Sequence, residues 1–210
     1  MNRYIHYGCG LTAPNDWENF DASPTLQIQK IPFLGYLFKN RLNTLFPDNV
    51  KYGDIIKGLP IQDDSCDGIY CSHVLEHLAL DDFRKAISNT YKILRFGGIF
   101  RCVVPDLETY ARNYLTKLES GDAEASIGFL NDSLLGEKSR VRGIKGLAIS
   151  QFGNANHLWM WDFLSLAAEL RNAGFKNIKR CKFNDSSDKA FNLVEDEGRF
   201  KDAVAIECTK

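Results

Sequence analysis

Short apolar runs, cut off by glycine, proline and acidic turns, alternate along this chain with stretches in which apolar residues recur at helical spacing. Tyr4-Ile5-His6-Tyr7 predicts a first strand that stops at Gly8-Cys9-Gly10. Trp17-Glu18-Asn19-Phe20 predicts a second, closed by Asp21 before the Ala22-Ser23-Pro24 turn. Between Pro24 and Pro47, Leu34, Leu37, Phe38, Leu42, Leu45 and Phe46 keep helical spacing and predict one or two crossover helices. Asn49 to Tyr52 predicts a third strand ending at Gly53-Asp54, and Cys66 to Ser72 a fourth, more buried one. A helix follows from Leu80 to Leu94, with Asp81 as N-cap and Phe83, Ala86, Ile87, Tyr91 and Leu94 on its inner face. Gly97-Gly98 stops it, and Ile99 to Val104 makes a fifth strand terminated by Pro105-Asp106.

Helical pieces at Leu107 to Leu118 and Ala123 to Leu135 then lead into a basic, glycine-punctuated stretch, Glu137 to Gly146. Asp162 is placed to cap a helix with Phe163, Leu164, Leu166, Ala167 and Leu170 inward and Gly174 at its end. Phe175 to Phe183 and Asp202 to Cys208 alternate as a closing strand pair, and a last strand that returns without a helix runs antiparallel. The sum is an α/β, doubly wound, mostly parallel sheet with an antiparallel last strand. Ligands of such sheets sit outside the carboxyl ends of the strands. Gly8 to Gly10, Asp21, Gly53-Asp54, Ser72-His73 and Pro105-Asp106 all fall there. The insertion over 107–157 would hang over that rim as a helical lid and substrate-selecting element; a solvated surface loop is the alternative.

The first turn carries the most specific chemistry. Gly8-Cys9-Gly10-Leu11-Thr12-Ala13 matches the spacing of a dinucleotide fingerprint. In that fingerprint a full helix holds the pyrophosphate and the ribose carboxylate comes about 20 residues later. Here Asp21 arrives sooner and Pro14 interrupts the interval, so the crossover helix must be stunted. Glycines and a ribose carboxylate without a phosphate-binding helix suit a nucleoside cofactor that lacks phosphates, such as S-adenosylmethionine.

Composition narrows the setting. The 210 residues, 44% hydrophobic and 12% aromatic, can bury one sizeable core, so a single domain over 1–210 is expected. A formal net charge of −1 gives no broad attraction to nucleic acid or anionic membrane. The longest apolar run, Ile31 to Phe38, is too short to span a bilayer, and the N-terminus runs directly into a strand with no apolar signal segment. A cytoplasmic protein is the expectation. Six cysteines without a Cys-x-x-Cys pair are expected as small buried hydrophobes, with Cys9 alone placed to touch a ligand, by its size and backbone.

Taken in order, Gly8-Cys9-Gly10, Asp21, Gly53-Asp54, Leu59-Pro60 with Asp67, Ser72-His73-Val74-Leu75-Glu76-His77-Leu78, Leu94 to Gly98 and Val103-Val104-Pro105-Asp106 resemble class I S-adenosylmethionine-dependent methyltransferases. The set is closest to the small bacterial type 11 group associated with polysaccharide pathways. Trp161-Asp162, the helix to Ala173-Gly174-Phe175, and Glu197 to Phe200 resemble that group too. The resemblance implies a Rossmann-like, seven-stranded sheet and S-adenosylmethionine as cofactor, with S-adenosylhomocysteine as product. It places Gly8, Cys9, Gly10, Asp21, Asp54, Ser72 and His73 around the cofactor, with Asp21 on the ribose hydroxyls and Asp54 near the adenine. Two departures stand out: His6 occupies a position where many such enzymes carry an acid, and the third glycine of the usual loop is missing.

Methyl transfer to a hydroxyl needs in-line placement and a base, and His73 and His157 are the candidates. The run His73-x-x-Glu76-His77 puts its side chains on one face, where with His157 they could ligate a divalent metal. It resembles the Glu-x-x-Glu-His run of small-RNA 2′-O-methyltransferases, where that face binds a metal; a metal-free Glu-His pair that hydrogen-bonds the helix start is the expectation, and metal ligation the alternative. The function expected is O-methylation of a sugar, nucleotide sugar or other small polar acceptor. A non-catalytic module of the same fold that binds the cofactor or a partner, and a nicotinamide-dependent oxidoreductase, are the competing readings.

Overall fold

The structure, a computed structural model, describes residues 2–31, 45–138 and 156–210. Seven strands form one sheet: β1 (Tyr4–Tyr7), β2 (Glu18–Asp21), β3 (Val50–Tyr52), β4 (Cys66–Ser72), β5 (Leu94–Pro105), β6 (Lys176–Arg180) and β7 (Ala203–Thr209). Their order is β3-β2-β1-β4-β5-β7-β6, with β7 antiparallel to both neighbours and the other pairings parallel. The helices are α1 (Pro24–Lys30), α2 (Leu80–Ile93), α3 (Leu107–Glu119), α4 (Ala125–Asp132) and α5 (Phe163–Asn172).

Alternation along the strands builds two unlike faces. Ile5 and Tyr7 of β1, Ile69 and Cys71 of β4, Phe100, Cys102 and Val104 of β5, and Val204, Ile206 and Cys208 of β7 share one core. It is closed by Phe83, Ala86 and Ile87 of α2 and Leu166, Ala167 and Leu170 of α5. The opposite face presents Tyr70, Val103 and Ala205, covered by Trp17, Phe191 and Val194. Phe191 comes from a 3₁₀ turn, Lys189–Leu193. On that second face Arg101 is fully buried and donates to Glu195 Oε1 at 2.7 Å, Glu207 Oε2 at 2.6 Å and Asp185 Oδ1 at 3.1 Å. One guanidinium thereby ties β5 to β7 and to the loop between β6 and β7.

The first crossover has no helix. Residues 8–17 make only turns, closed by Thr12 N–H to the Cys9 carbonyl at 3.0 Å and Trp17 N–H to the Pro14 carbonyl at 3.2 Å. Asn19 donates to the Pro14 and Trp17 carbonyls at 2.9 Å each, fixing the entry to β2. This matches the stunted crossover expected from Pro14 and the early Asp21.

Several boundaries differ from the sequence reading. The N-cap of α2 is Ala79, without a side-chain cap, and Asp81 lies in the first turn where its charge meets the helix dipole. The same helix stops at Ile93 rather than at Gly97-Gly98, because Leu94 turns extended to pair with Cys66. Arg95 to Gly98 then bulge out before Gly68 pairs with Ile99. A Cβ on Gly98 would press on the Cys66 and Arg95 carbonyls, so these glycines serve the bulge. Leu164 is 76% exposed, outside the buried face of α5, whereas Asp162 does cap that helix in a reciprocal pair with Ser165. The helical spacing from Leu34 to Leu42 and most of the basic stretch after Lys138 lie outside the described residues. Among the described residues no helix is long and apolar enough to cross a membrane.

Candidate cofactor and acceptor site

At the carboxyl ends of β1, β2 and β3, a cavity of about 640 Å³ is lined by Gly8, Asp21, Tyr52, Asp54, His73 and His77 among others. Its floor is built by β1 ending in a glycine turn. Gly8 and Gly10 adopt φ of +62° and +54°, a region that costs an L side chain about 1–2 kcal/mol. A Cβ on Gly8 would collide with Val74, whereas one on Gly10 would meet nothing within 4 Å. The Gly8 position thus serves packing, and the Gly10 position leaves open space beside the Asp21 carboxylate.

Asp21 is 9% exposed and held at both oxygens: Oδ2 accepts from the Gly10 N–H at 3.0 Å and Oδ1 from the Ser23 N–H at 2.8 Å. Each carboxylate oxygen keeps a second lone pair. Asp54 accepts from the Ile56 N–H at 3.0 Å and pairs with Lys57 at 3.1 Å. Cys9 is buried against Leu26 and Val50 and does not line the cavity; burial pushes its thiol up to about 12, leaving it inert. Ser72 is also buried behind the cavity wall, with its carbonyl 3.4 Å from Arg199 Nη1. Asp106, expected at the same rim, caps α3 through the Glu108 N–H instead.

His73 follows β4 at φ +54°, a strained conformation for a side-chain-bearing residue. Its Nε2 lies 2.9 Å from the Arg199 carbonyl, so the ring is clasped by the 3₁₀ turn Glu197–Phe200. In the sequence, Arg199 stands out only as part of the Glu197 to Phe200 run, without a role of its own. It stands 126 residues away from His73 and no local spacing links the two.

Beside the cavity, the turn Leu75–His77 carries Glu76, which is fully buried. His73 Nδ1, His77 Nε2 and His157 Nε2 surround its Oε1 at 3.5, 3.8 and 3.9 Å. The chain returns here: Leu158 and Trp159 N–H donate to the Glu76 carbonyl at 2.8 and 3.1 Å, which brings His157 to the turn. All four residues of the predicted histidine-carboxylate set therefore meet. His157 is buried and lies behind the cavity wall, while His73 lines it. Burial pushes the Glu76 carboxyl up to about 8, against the opposing pull of the nearby main-chain amide and Arg199. Burial also lowers His73 and His157.

His6, where an acid was noted as missing, is buried between Trp17 and Tyr70. Desolvation drives it down to about 3, with Thr12 opposing and Arg199 adding, so it stands neutral in the second core. The residues fit a nucleoside sulfonium better than a dinucleotide. Gly10 leaves a cradle beside a half-satisfied carboxylate, and no helix N-terminus follows it to hold a pyrophosphate.

Comparison with known proteins bears on the fold and the domain type. Residues 38–102, from before β3 into β5, match the family model described as a methyltransferase domain. No curated protein sequence matches the chain. Among solved structures, a SAM-dependent methyltransferase of Thermotoga maritima aligns with 18% identity and a TM-score of 0.51, covering 100% of this chain and 83% of the other. A SAM-dependent methyltransferase of Archaeoglobus fulgidus aligns over 100% and 86% at 15% identity and a TM-score of 0.49. At 18% identity the likeness to the Thermotoga maritima protein is one of fold. The domain match, over less than half of the chain, supports a methyltransferase.

Proposed function

We propose that this chain transfers a methyl group from S-adenosylmethionine to a hydroxyl of a small polar acceptor, a sugar or nucleotide sugar being the class expected. One observation carries the cofactor half. The Gly10 N–H is bound to Asp21 on the rim of a 640 Å³ cavity, with open space above Gly10. Asp21 offers its two remaining lone pairs to a ribose diol, and the Gly8 to Gly10 backbone lets a ligand approach the main chain. Tyr52 and Asp54, farther along the same rim, would flank the base. When bound, the cofactor supplies an activated methyl group on a good leaving group.

The acceptor half falls to the histidine cluster. His73 lines the cavity with its Nε2 held by the Arg199 carbonyl, which leaves Nδ1, on the side of Glu76, as the nitrogen that would take a hydroxyl proton. The insertion over 107–157, of which α3 and α4 are described, would cover the acceptor and exclude water. Calorimetric titration with S-adenosylhomocysteine tests the cofactor, and transfer of labelled methyl from S-adenosylmethionine to a panel of sugars and nucleotide sugars tests the acceptor. Tight binding with no transfer to any of them would favour a non-catalytic module. Preference for a dinucleotide over S-adenosylhomocysteine would overturn the reading.

A further inference from the structure

We propose that Glu76, His77 and His157 form a binding site for one divalent transition-metal ion, bordering the cofactor cavity. The argument starts from hydrogen-bond bookkeeping. Glu76 is fully buried, and neither of its carboxylate oxygens has a hydrogen-bond partner among the described residues. A buried carboxylate without donors is costly, and either a proton or a counter-charge relieves it.

Two of the three surrounding imidazoles cannot be that donor set as they stand. His77 Nδ1 lies 3.1 Å from the Asn156 carbonyl, and His73 Nε2 lies 2.9 Å from the Arg199 carbonyl. A carbonyl oxygen only accepts, so both facing nitrogens carry the proton. In the neutral rings, the lone pairs of His77 Nε2 and His73 Nδ1 therefore face Glu76 Oε1, at 3.8 and 3.5 Å. Acceptors face an acceptor. A proton bridges only one such contact, whereas a cation satisfies several at once.

The spacing suits a cation. The ligand atoms of Glu76, His77 and His157 all lie within 4.8 Å of one another. Two ligands at about 2.0–2.2 Å from a tetrahedral zinc-sized ion stand roughly 3.3–3.6 Å apart, so the 3.8 and 3.9 Å separations here need to close by only a few tenths of an ångström. The bond from His77 Nδ1 to a backbone carbonyl is the outer-shell contact that orients a metal-binding imidazole. Two imidazoles and one carboxylate favour zinc, cobalt, iron or manganese over magnesium or calcium, and leave coordination positions open. His77 also lines the cavity, so a hydroxyl entering there could bind the ion and lose its proton to His73. That role rests on the methyl-transfer reading; the site itself does not.

The test is titration of chelator-stripped, folded protein with cobalt(II) chloride, followed by visible absorption and calorimetry, with and without S-adenosylhomocysteine. One cobalt ion per chain is expected, displaced by zinc. Glu76→Gln and His157→Asn should each weaken binding at least tenfold. Thermal melts without metal control for folding, and Glu76→Gln should melt close to the parent because it keeps the size of a buried carboxyl that has no hydrogen-bond donor. Absence of stoichiometric binding in the folded parent protein, or undiminished binding in both variants, would overturn the site. Cobalt binding without S-adenosylhomocysteine binding would keep the site and refute the cofactor reading. The opposite result would do the reverse.

Discussion

The Gly10 N–H donates to Asp21 Oδ2 across 3.0 Å, joining the turn after β1 to the end of β2 with no helix between them. The carboxylate that would hold a ribose is thus aimed by the same glycine that leaves room for it. Replacing Asp21 by Ala removes both functions. Its affinity for S-adenosylhomocysteine should fall by about 1.5–3 kcal/mol, the size of a lost charged hydrogen bond. Unchanged affinity by calorimetry would refute the ribose assignment.

The two glycines should respond differently to a methyl group. Gly10→Ala carries only the strain of a positive φ, about 1–2 kcal/mol, and should show up mainly in cofactor binding. Gly8→Ala adds a collision with Val74, so its urea midpoint should drop further. Adding Val74→Ala to Gly8→Ala should recover part of the loss. No recovery would mean that Val74 is not what crowds Gly8.

Arg101 holds three carboxylates on the less helical face of the sheet. Arg101→Met leaves Glu195 and Glu207 without their guanidinium and should destabilise by about 3–5 kcal/mol. The triple variant Arg101→Met with Glu195→Gln and Glu207→Gln should regain much of that in denaturant unfolding. If the single and triple variants melt alike, unpaired charge is not the cause.

His6 makes stability depend on acid. Its pKa falls from 6.5 to about 3 in the folded chain, so below pH 6.5 the unfolded chain binds a proton that the folded chain refuses. The contribution is fully present above pH 6.5 and is lost as the pH falls toward 3, at a limiting slope of about 1.4 kcal/mol per unit. Unfolding measured from pH 7 to 4 should show a shallower loss in His6→Gln than in the parent, and equal slopes would count against this assignment.

How legible all this was in the sequence varies with the range of the interactions involved. Gly8, Gly10 and Asp21 could be found because their spacing within one short turn encodes the missing helix. The meeting of Glu76 with His157 was guessed from residue type, and the backbone bonds from Leu158 and Trp159 to Glu76 that bring it about leave no periodic trace. Asp81 reads as a cap because caps are inferred from side-chain chemistry; the chain bends two residues earlier, at Ala79. Gly97-Gly98 looked like a helix stop because a bulge and a helix end use the same residues. Arg101 looked like one more strand residue. Its partners lie at sequence distances of 84 to 106, beyond the reach of pattern.

The position of β7 has a consequence in time as well as in space. It follows β5 and β6 in the chain yet lies between them, pairing Val103 with Ala205 and Lys179 with Glu207. Until β7 has been synthesised and docked, β5 and β6 cannot be joined into one sheet, and both present unpaired edges. Arg101 would meanwhile lack Glu207. Closure of the sheet is therefore a late, long-range event in the life of each molecule, and the ribosome must release residues 203–209 before it can occur.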